Sequence, residues 1–276
     1  MMVKNKRITN KERKRTMKIM VTGFLGKMGR TTVDMVLAHE GFDLVTLVNS
    51  RLVRHAEEVK AFEGVAPVFQ TIEEALKEVE VDVAIDFTQP SVAYAHTKCY
   101  IEHNVHPVIG TTGFKLEEIE KLKALANAKE LGGIIAPNFA IGAALMQNFA
   151  AQAAKYLPHV EIIEMHSDSK KDSPSETALK TAEGIAAHRG EAKKRVGQPI
   201  ERISGTRGGE YLGIPIHSLR LPGYISSQMV QFGGLGEVLT IRQETYDRQS
   251  YMPGVKMACD YVMKSKELIY GLDQIL

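Results

Sequence analysis

From Lys18 onward the chain alternates short apolar runs with amphipathic stretches. The runs are "KIMVT" (18–22), "DLVTLVNS" (43–50), "VDVAIDFT" (81–88), "HPVIGTT" (106–112) and "GGIIAPN" (132–138). Helical patterns at 27–40, 71–79, 91–104 and 115–130 lie between them. Short apolar strands separated by amphipathic helices predict βαβ units and a parallel sheet, hence a nucleotide-binding type of domain. After Asn138 the pattern changes. A small-residue helix (142–157) leads to a strand (160–166), a polar loop and another helix. Three strand-like runs follow at 214–221, 226–234 and 237–246, with hardly a helix between them. Strands in succession predict a mixed or antiparallel sheet with its own core. The last segment, 252–272, reads as helical and is expected to pack back on the first domain. The expected division is therefore 17–138 with 248–276 as a dinucleotide-binding domain and 139–247 as a second one.

Bulk properties narrow the class. A chain of 276 residues, 44% hydrophobic and without a long apolar tract, can bury a sizeable core and is expected to be globular, with no membrane partner. Cys99 and Cys259 match no metal-ligand spacing, so neither a disulfide framework nor a metal site is suggested, and a cytoplasmic location is the expectation. Residues 1–16 hold seven Lys or Arg against one Glu and no signal-like apolar stretch, and read as a disordered basic tail, with Met17 an alternative start. Without that tail the net charge of +2 becomes about −4, so the basic balance gives no argument for nucleic-acid binding by the folded part.

Chemistry enters at "VTGFLGKMGR". Gly23, Gly26 and Gly29 follow a strand and open a helix, where glycines let the backbone approach a pyrophosphate seated at the helix N-terminus. An ordinary glycine-rich turn is the other reading. About twenty residues on, where an NAD-binding unit offers an acid to the ribose 2′-OH, this chain has Asn49, Ser50, Arg51 and Arg54. These suit a 2′-phosphate, which favours NADPH over NADH; the alternative is that Arg51 and Arg54 are solvated loop charges.

Further motifs stand in order: "DFT" (86–88), "GTTGF" (110–114), "APNFAIGA" (136–143), "EIIEMH" followed by K-x-D-x-P-S-x-T-A, "RGGE" (207–210), "HSLRLPG" (217–223) and "FGG-x-GE-x-LTIR" (232–242). With them the chain resembles the 4-hydroxy-tetrahydrodipicolinate (dihydrodipicolinate) reductases of lysine and diaminopimelate biosynthesis, from Lys18 to the C-terminus. The resemblance implies an α/β fold: a Rossmann-like dinucleotide-binding domain completed by C-terminal helices, plus a smaller α+β substrate and oligomerisation domain whose mixed, four-stranded sheet builds a homotetramer. It implies NAD(P)H-dependent hydride transfer to a cyclic unsaturated dicarboxylic imine. It further implies that Lys27 and Met28 join the glycines at the cofactor, and that Phe87, Thr88, Gly110, Thr111, Thr112, Ala136, Pro137, Asn138 and Phe139 line the nicotinamide and its ribose. In the loop after "EIIEM", His166 inherits the role of acid and Lys170 a catalytic, substrate-binding role, with Ser167, Glu176 and Thr177 also at the substrate.

Those residue types suit the reaction. Hydride addition to a conjugated imine builds negative charge that a proton or a nearby cation must relieve. Histidine titrates near neutrality, and lysine offers a fixed positive charge to a carboxylate. Backbone amides around Thr177, at a helix N-terminus, would receive a second carboxylate. Four positions depart from the family pattern: Ser167, Ser227 and Gln243 stand where a histidine is expected, and Glu176 where the pattern has glycine. A like charge about 4 Å from a substrate carboxylate repels it by about 1 kcal/mol in water and about 4 at an effective dielectric of 20. Against that, Ser173-Pro174-Ser175-Glu176 fits a capping box with Ser173 at N-cap and Glu176 folded back at N3. Three functional readings follow: the pathway reductase, a reductase-like NADPH-binding protein with lost catalysis, and a reductase of another cyclic imine or carbonyl acid.

Overall fold

The strand β1 (Met17–Thr22) is buried from Ile19 to Thr22 without alternation, as a strand covered on both faces must be. In the computed structural model, which describes residues 16–190 and 200–276, it begins a run of parallel units. These are α1 (Lys27–Ala38), β2 (Phe42–Val48), α2 (Ala56–Lys60), β3 (Val68–Phe69), α3 (Ile72–Glu78) and β4 (Val83–Asp86). The run continues with α4 (Pro90–Glu102), β5 (His106–Ile109), α5 (Leu116–Ala128) and β6 (Gly133–Ile135). α1 buries Gly29, Thr32, Val33 and Val36, an i, i+3, i+4, i+7 stripe, against the sheet. Thr71 and Glu74 form a capping box on α3, and Pro90 opens α4.

The chain then builds a second layer from α6 (Ile141–Ala154), β7 (His159–His166), α7 (Glu176–His188), β8 (Gly209–Tyr211), β9 (Ile214–Arg220), β10 (Ser226–Gly234) and β11 (Glu237–Thr245). It returns through α8 (Met252–Val262) and β12 (Leu268–Tyr270). The first sheet runs β12-β6-β5-β4-β1-β2-β3, all parallel. Its order reverses between β1 and β4, so their carboxyl ends open the crevice where such sheets bind ligands. The second sheet runs β11-β10-β7-β9-β8, with β7 and β9 parallel and the other pairs antiparallel. α6 and α7 cover one face of it through Met146, Ala150, Ala182, Ile185, Ile162, Val230 and Phe232.

Three expectations are corrected. The segment 252–272 is helical only to Val262; Leu268–Tyr270 is a strand that pairs with β6 and closes the edge of the first sheet. The second sheet has five strands instead of four, because Gly209–Tyr211 adds a short edge strand beside β9. The capping box at Ser173 does not form. Ser175, in an extended conformation, is the N-cap and accepts from the Ala178 amide at 3.2 Å, while Glu176 is the first helical residue. The basic tail falls outside the described residues, apart from Thr16. Among the described residues, no helix is long and apolar enough to cross a membrane.

Candidate functional site

Two clefts meet at Phe87. The first, about 530 Å³, lies over the carboxyl ends of β1, β2 and β4 and is walled by Gly23, Gly26, Asn49, Ser50, Arg51, His55, Gln70, Glu73, Thr88 and His96, among others. The turn at its floor requires glycine. Gly23 has φ +82°, and a Cβ there would stand 2.7 Å from the Phe87 carbonyl oxygen; a Cβ at Gly29 would stand 2.2 Å from that of Gly23. Gly26, the N-cap of α1, brings no capping side chain, and no acid stands in the first turn, so the helix presents bare amides to an anion. This bare turn beside the cleft suits a dinucleotide pyrophosphate.

Buried Asp86 fixes the next wall. Its carboxylate accepts from the Thr88 amide (2.8 Å), the Thr88 hydroxyl (2.6 Å) and the Tyr100 hydroxyl (2.9 Å), and lies 2.9 Å from His96 Nδ1. The loop that carries Phe87 and Thr88 is thereby locked. A Cβ at Gly110 would stand 2.0 Å from the Phe87 ring, and Phe139 meets that ring edge-on at 6.0 Å. β5 and β6 thus deliver Gly110 and Phe139 against one aromatic side chain.

The second cleft, about 310 Å³, lies between the two sheets. The first layer contributes Met28, Phe87, Gly110, Thr112, Pro137, Asn138 and Phe139; the second contributes His166, Lys170, Asp172, Ser175, Glu176 and Thr177. Register in the second sheet builds the ionic group behind it. Glu164 and His166 share a face of β7 by strand periodicity, and Arg220 stands opposite His166 on β9. Glu164 is fully buried; its carboxylate receives both terminal nitrogens of Arg220 at 2.8 and 3.0 Å, and His166 Nδ1 lies at 2.5 Å. Burial pushes this carboxyl upward, but hydrogen bonds from His166, Arg220 and Ser218 outweigh it and hold the pKa at about 2. Glu164 is therefore an ionised acceptor, so Nδ1 of His166 carries the proton and Nε2 is the nitrogen left for a ligand.

Lys170 reaches both oxygens of Asp172 at 2.8 and 2.7 Å, and this lysine holds the Asp172 carboxyl below its usual range. Arg220 also binds the Asp172 carbonyl at 2.7 Å, which ties the Lys170 loop to the Glu164 group. Among the described residues, the amides of Glu176 and Thr177 donate to no other group. The helix start is thus open to an anion.

Several expected residues lie elsewhere. Gly29, Thr111 and Ala136 are buried behind the walls, where they shape the backbone without facing either cleft. Lys27 turns to a separate groove with Asp34, His39, Arg248 and Lys256. Ser167 pairs with Ser169 at 2.8 Å outside the cleft wall, and Arg54 is absent from the first cleft. Ser227 and Gln243 sit within β10 and β11, Ser227 buried and Gln243 bonded to Thr245 at 3.0 Å. Sequence reasoning missed Asp172, Arg248 and Tyr251 on the second cleft and His55 and His96 on the first. It also missed Glu164 and Arg220, although Glu164 stands two residues before His166, the spacing that puts two side chains on one strand face.

Comparison with known proteins covers nearly the whole chain. Residues 17–139 match the family model described as dihydrodipicolinate reductase, N-terminus, and 142–276 the one described as its C-terminus. The chain is 51% identical to the 4-hydroxy-tetrahydrodipicolinate reductase of Enterococcus faecalis, over 94% of this chain and 99% of that one. It is 48% identical to that of Geobacillus kaustophilus, over 95% and 99%. Among solved structures it is similar to a dipicolinate-bound dihydrodipicolinate reductase from Paenisporosarcina sp. TG-14, with TM-score 0.81 and 43% identity over 95% of this chain and 100% of that one.

Proposed function

The chain belongs to the dihydrodipicolinate reductase family, and we propose that it performs the pyridine-nucleotide-dependent reduction of 4-hydroxy-tetrahydrodipicolinate in lysine and diaminopimelate biosynthesis. The observation that carries this reading is the second cleft, where His166, Lys170 and the open start of α7 face Phe87, Gly110 and Phe139. Its substrate is a cyclic dicarboxylate, in keeping with the dipicolinate held by the similar Paenisporosarcina protein. The bare Gly23–Gly29 turn and the cleft beside it fit a dinucleotide, which supplies a hydride when bound.

The residues divide the work. Gly23, Gly26 and the α1 amides receive the pyrophosphate; Phe87, Thr88, Gly110, Thr112, Pro137, Asn138 and Phe139 orient the nicotinamide end. One substrate carboxylate takes Lys170, in exchange for Asp172, and another takes the Glu176 and Thr177 amides. His166, held at Nδ1 by Glu164, presents Nε2 to the reducing ring; as the imidazolium it gives up the Nε2 proton that relieves the charge growing there and is left as the Nδ1–H tautomer. Gly29, Thr111 and Ala136 support this cofactor site from behind its walls, and Lys27, the first residue of α1, offers its backbone amide to the pyrophosphate while its side chain lies in the separate groove. We divide the chain functionally at 138 and 247, with both termini of the dinucleotide-binding lobe enclosing the substrate lobe. Val238 and Leu239, exposed on β11, with Leu235 and Tyr246 exposed at its two ends, support a homotetramer through that sheet. The test is NADPH oxidation by the purified enzyme on adding dihydrodipicolinate synthase product; no oxidation above the background rate would remove the reading.

NADPH is the preferred cofactor. No acid follows β2; Asn49 accepts from the Arg51 amide at 2.9 Å, and Arg51 stands in the wall of the first cleft. Glu73 stands in the same wall on α3, so a 2′-phosphate needs the Arg51 charge as an offset. Arg51→Ala is expected to raise KM for NADPH about tenfold or more and leave KM for NADH nearly unchanged. Equal changes for both cofactors would take the 2′-phosphate away from Arg51.

A further inference from the structure

Glu176 puts a negative charge on the first residue of α7, where the free amides of the helix face a cleft suited to a dicarboxylate. Left to itself, that carboxylate would compete with an anionic ligand for the amides and repel it. The described structure gives it a partner elsewhere. Tyr270, on β12 of the first sheet, donates its hydroxyl to Glu176 Oε1 at 2.8 Å across 94 residues of sequence, and Tyr270 is not part of the cleft wall.

The tyrosine is itself held in place. Lys180, one turn after Glu176 on the same face of α7, stands 5.5 Å from the ring centroid and pairs with Asp273. The approach is possible because residue 271 is glycine: with φ +110°, its Cβ would stand 1.9 Å from Lys180 Nζ. Burial, and then the Glu176 carboxylate, raise the Tyr270 pKa, so the hydroxyl remains a neutral donor. A neutral donor anchors the carboxylate without cancelling its charge.

We propose that Tyr270 is a positioning residue for substrate binding: its hydroxyl draws the Glu176 carboxylate toward β12, which leaves the α7 amides and Lys170 open to a substrate carboxylate. This rests on the reductase reading above. Glu176 is then compatible with a dicarboxylate because of a contact from the other lobe, and the two residues form one functional unit.

The experiment compares wild type, Tyr270→Phe, Glu176→Gly and the double variant, as intact NADPH-loaded enzyme. Steady-state rates with the pathway substrate and calorimetric binding of dipicolinate are the readouts. Tyr270→Phe is expected to raise KM and the dipicolinate Kd about tenfold with kcat within about twofold, since only ground-state binding of a charge is affected. The penalty should narrow at high salt, as a released surface charge is screened. Adding Glu176→Gly should return both constants to near wild type. An unchanged Tyr270→Phe, or a double variant that keeps the full loss, would overturn the proposal. Should Tyr270→Phe fail to fold, Glu176→Gln serves: it keeps an acceptor without the charge and should bind dipicolinate at least as tightly as wild type, whereas weaker binding counts against the proposal. Wild-type turnover judges the reductase reading separately, because the positioning claim is read only from differences between variants.

Discussion

Replacing His166 by alanine is expected to lower kcat by about 10²- to 10⁴-fold while the Kd for NADPH stays within about twofold of wild type. The size follows from what the side chain is asked to do. His166 ends β7 at the cleft, with Nδ1 2.5 Å from a carboxylate held at a pKa of about 2. That carboxylate can only accept, which fixes the ring and leaves Nε2 for the ligand. On the proposed roles, alanine removes the proton donor and the ring but leaves Lys170 and the α7 amides, so substrate binding is expected to persist and the loss to fall on the chemical step. The cofactor turn lies on the other sheet and is untouched. Steady-state rates with a direct NADPH titration check this; a kcat within tenfold of wild type would mean that another group, or water, supplies the proton.

The architecture around that histidine was legible in unequal parts. The parallel sheet could be read because β1, β4 and β5 are continuous apolar runs with helices between, and because Gly23 and Gly29 stand in the β1–α1 turn, where a side chain would clash. The end of the chain could not: Leu268–Tyr270 is three residues long, and the same letters extend the apolar spacing of α8. The α7 start was ambiguous for a local reason. Both Ser173 and Ser175 can cap by sequence; in the structure Ser175 does, and the Glu176 carboxylate, free of a capping box, is bonded instead by Tyr270, 94 residues away. The ionic group behind His166 was hidden in the same manner, since Glu164 and Arg220 meet only through the β7–β9 register, 56 residues apart. Local pattern thus marked many of the residues that line the two clefts, and long-range pairing decided how they are held.

Arg220→Leu is expected to destabilise the folded enzyme by about 3–5 kcal/mol at neutral pH, the cost of leaving a buried charge without its partner. Glu164 has no exposed surface and Arg220 retains 19%, so solvent cannot replace the lost contacts. Without the guanidinium, burial, already the largest single influence on Glu164, meets less opposition and the pKa rises. The loss therefore depends on pH with a definite sign. In wild type the carboxyl titrates at about 2 when folded, against an ordinary glutamate value of 4.5. Its contribution is complete above about 4.5 and disappears as pH falls from there toward 2, because the unfolded chain binds the proton first. The gap between wild type and Arg220→Leu should accordingly be widest at pH 7 and narrow below pH 4.5, where a protonated Glu164 no longer needs a cation. Urea unfolding at one fixed protomer concentration, at pH 7 and pH 3.5, measures both ends. A gap of equal size at the two pH values would assign the loss to packing and to the Asp172 carbonyl that Arg220 also holds, and would remove the charge pair as its cause.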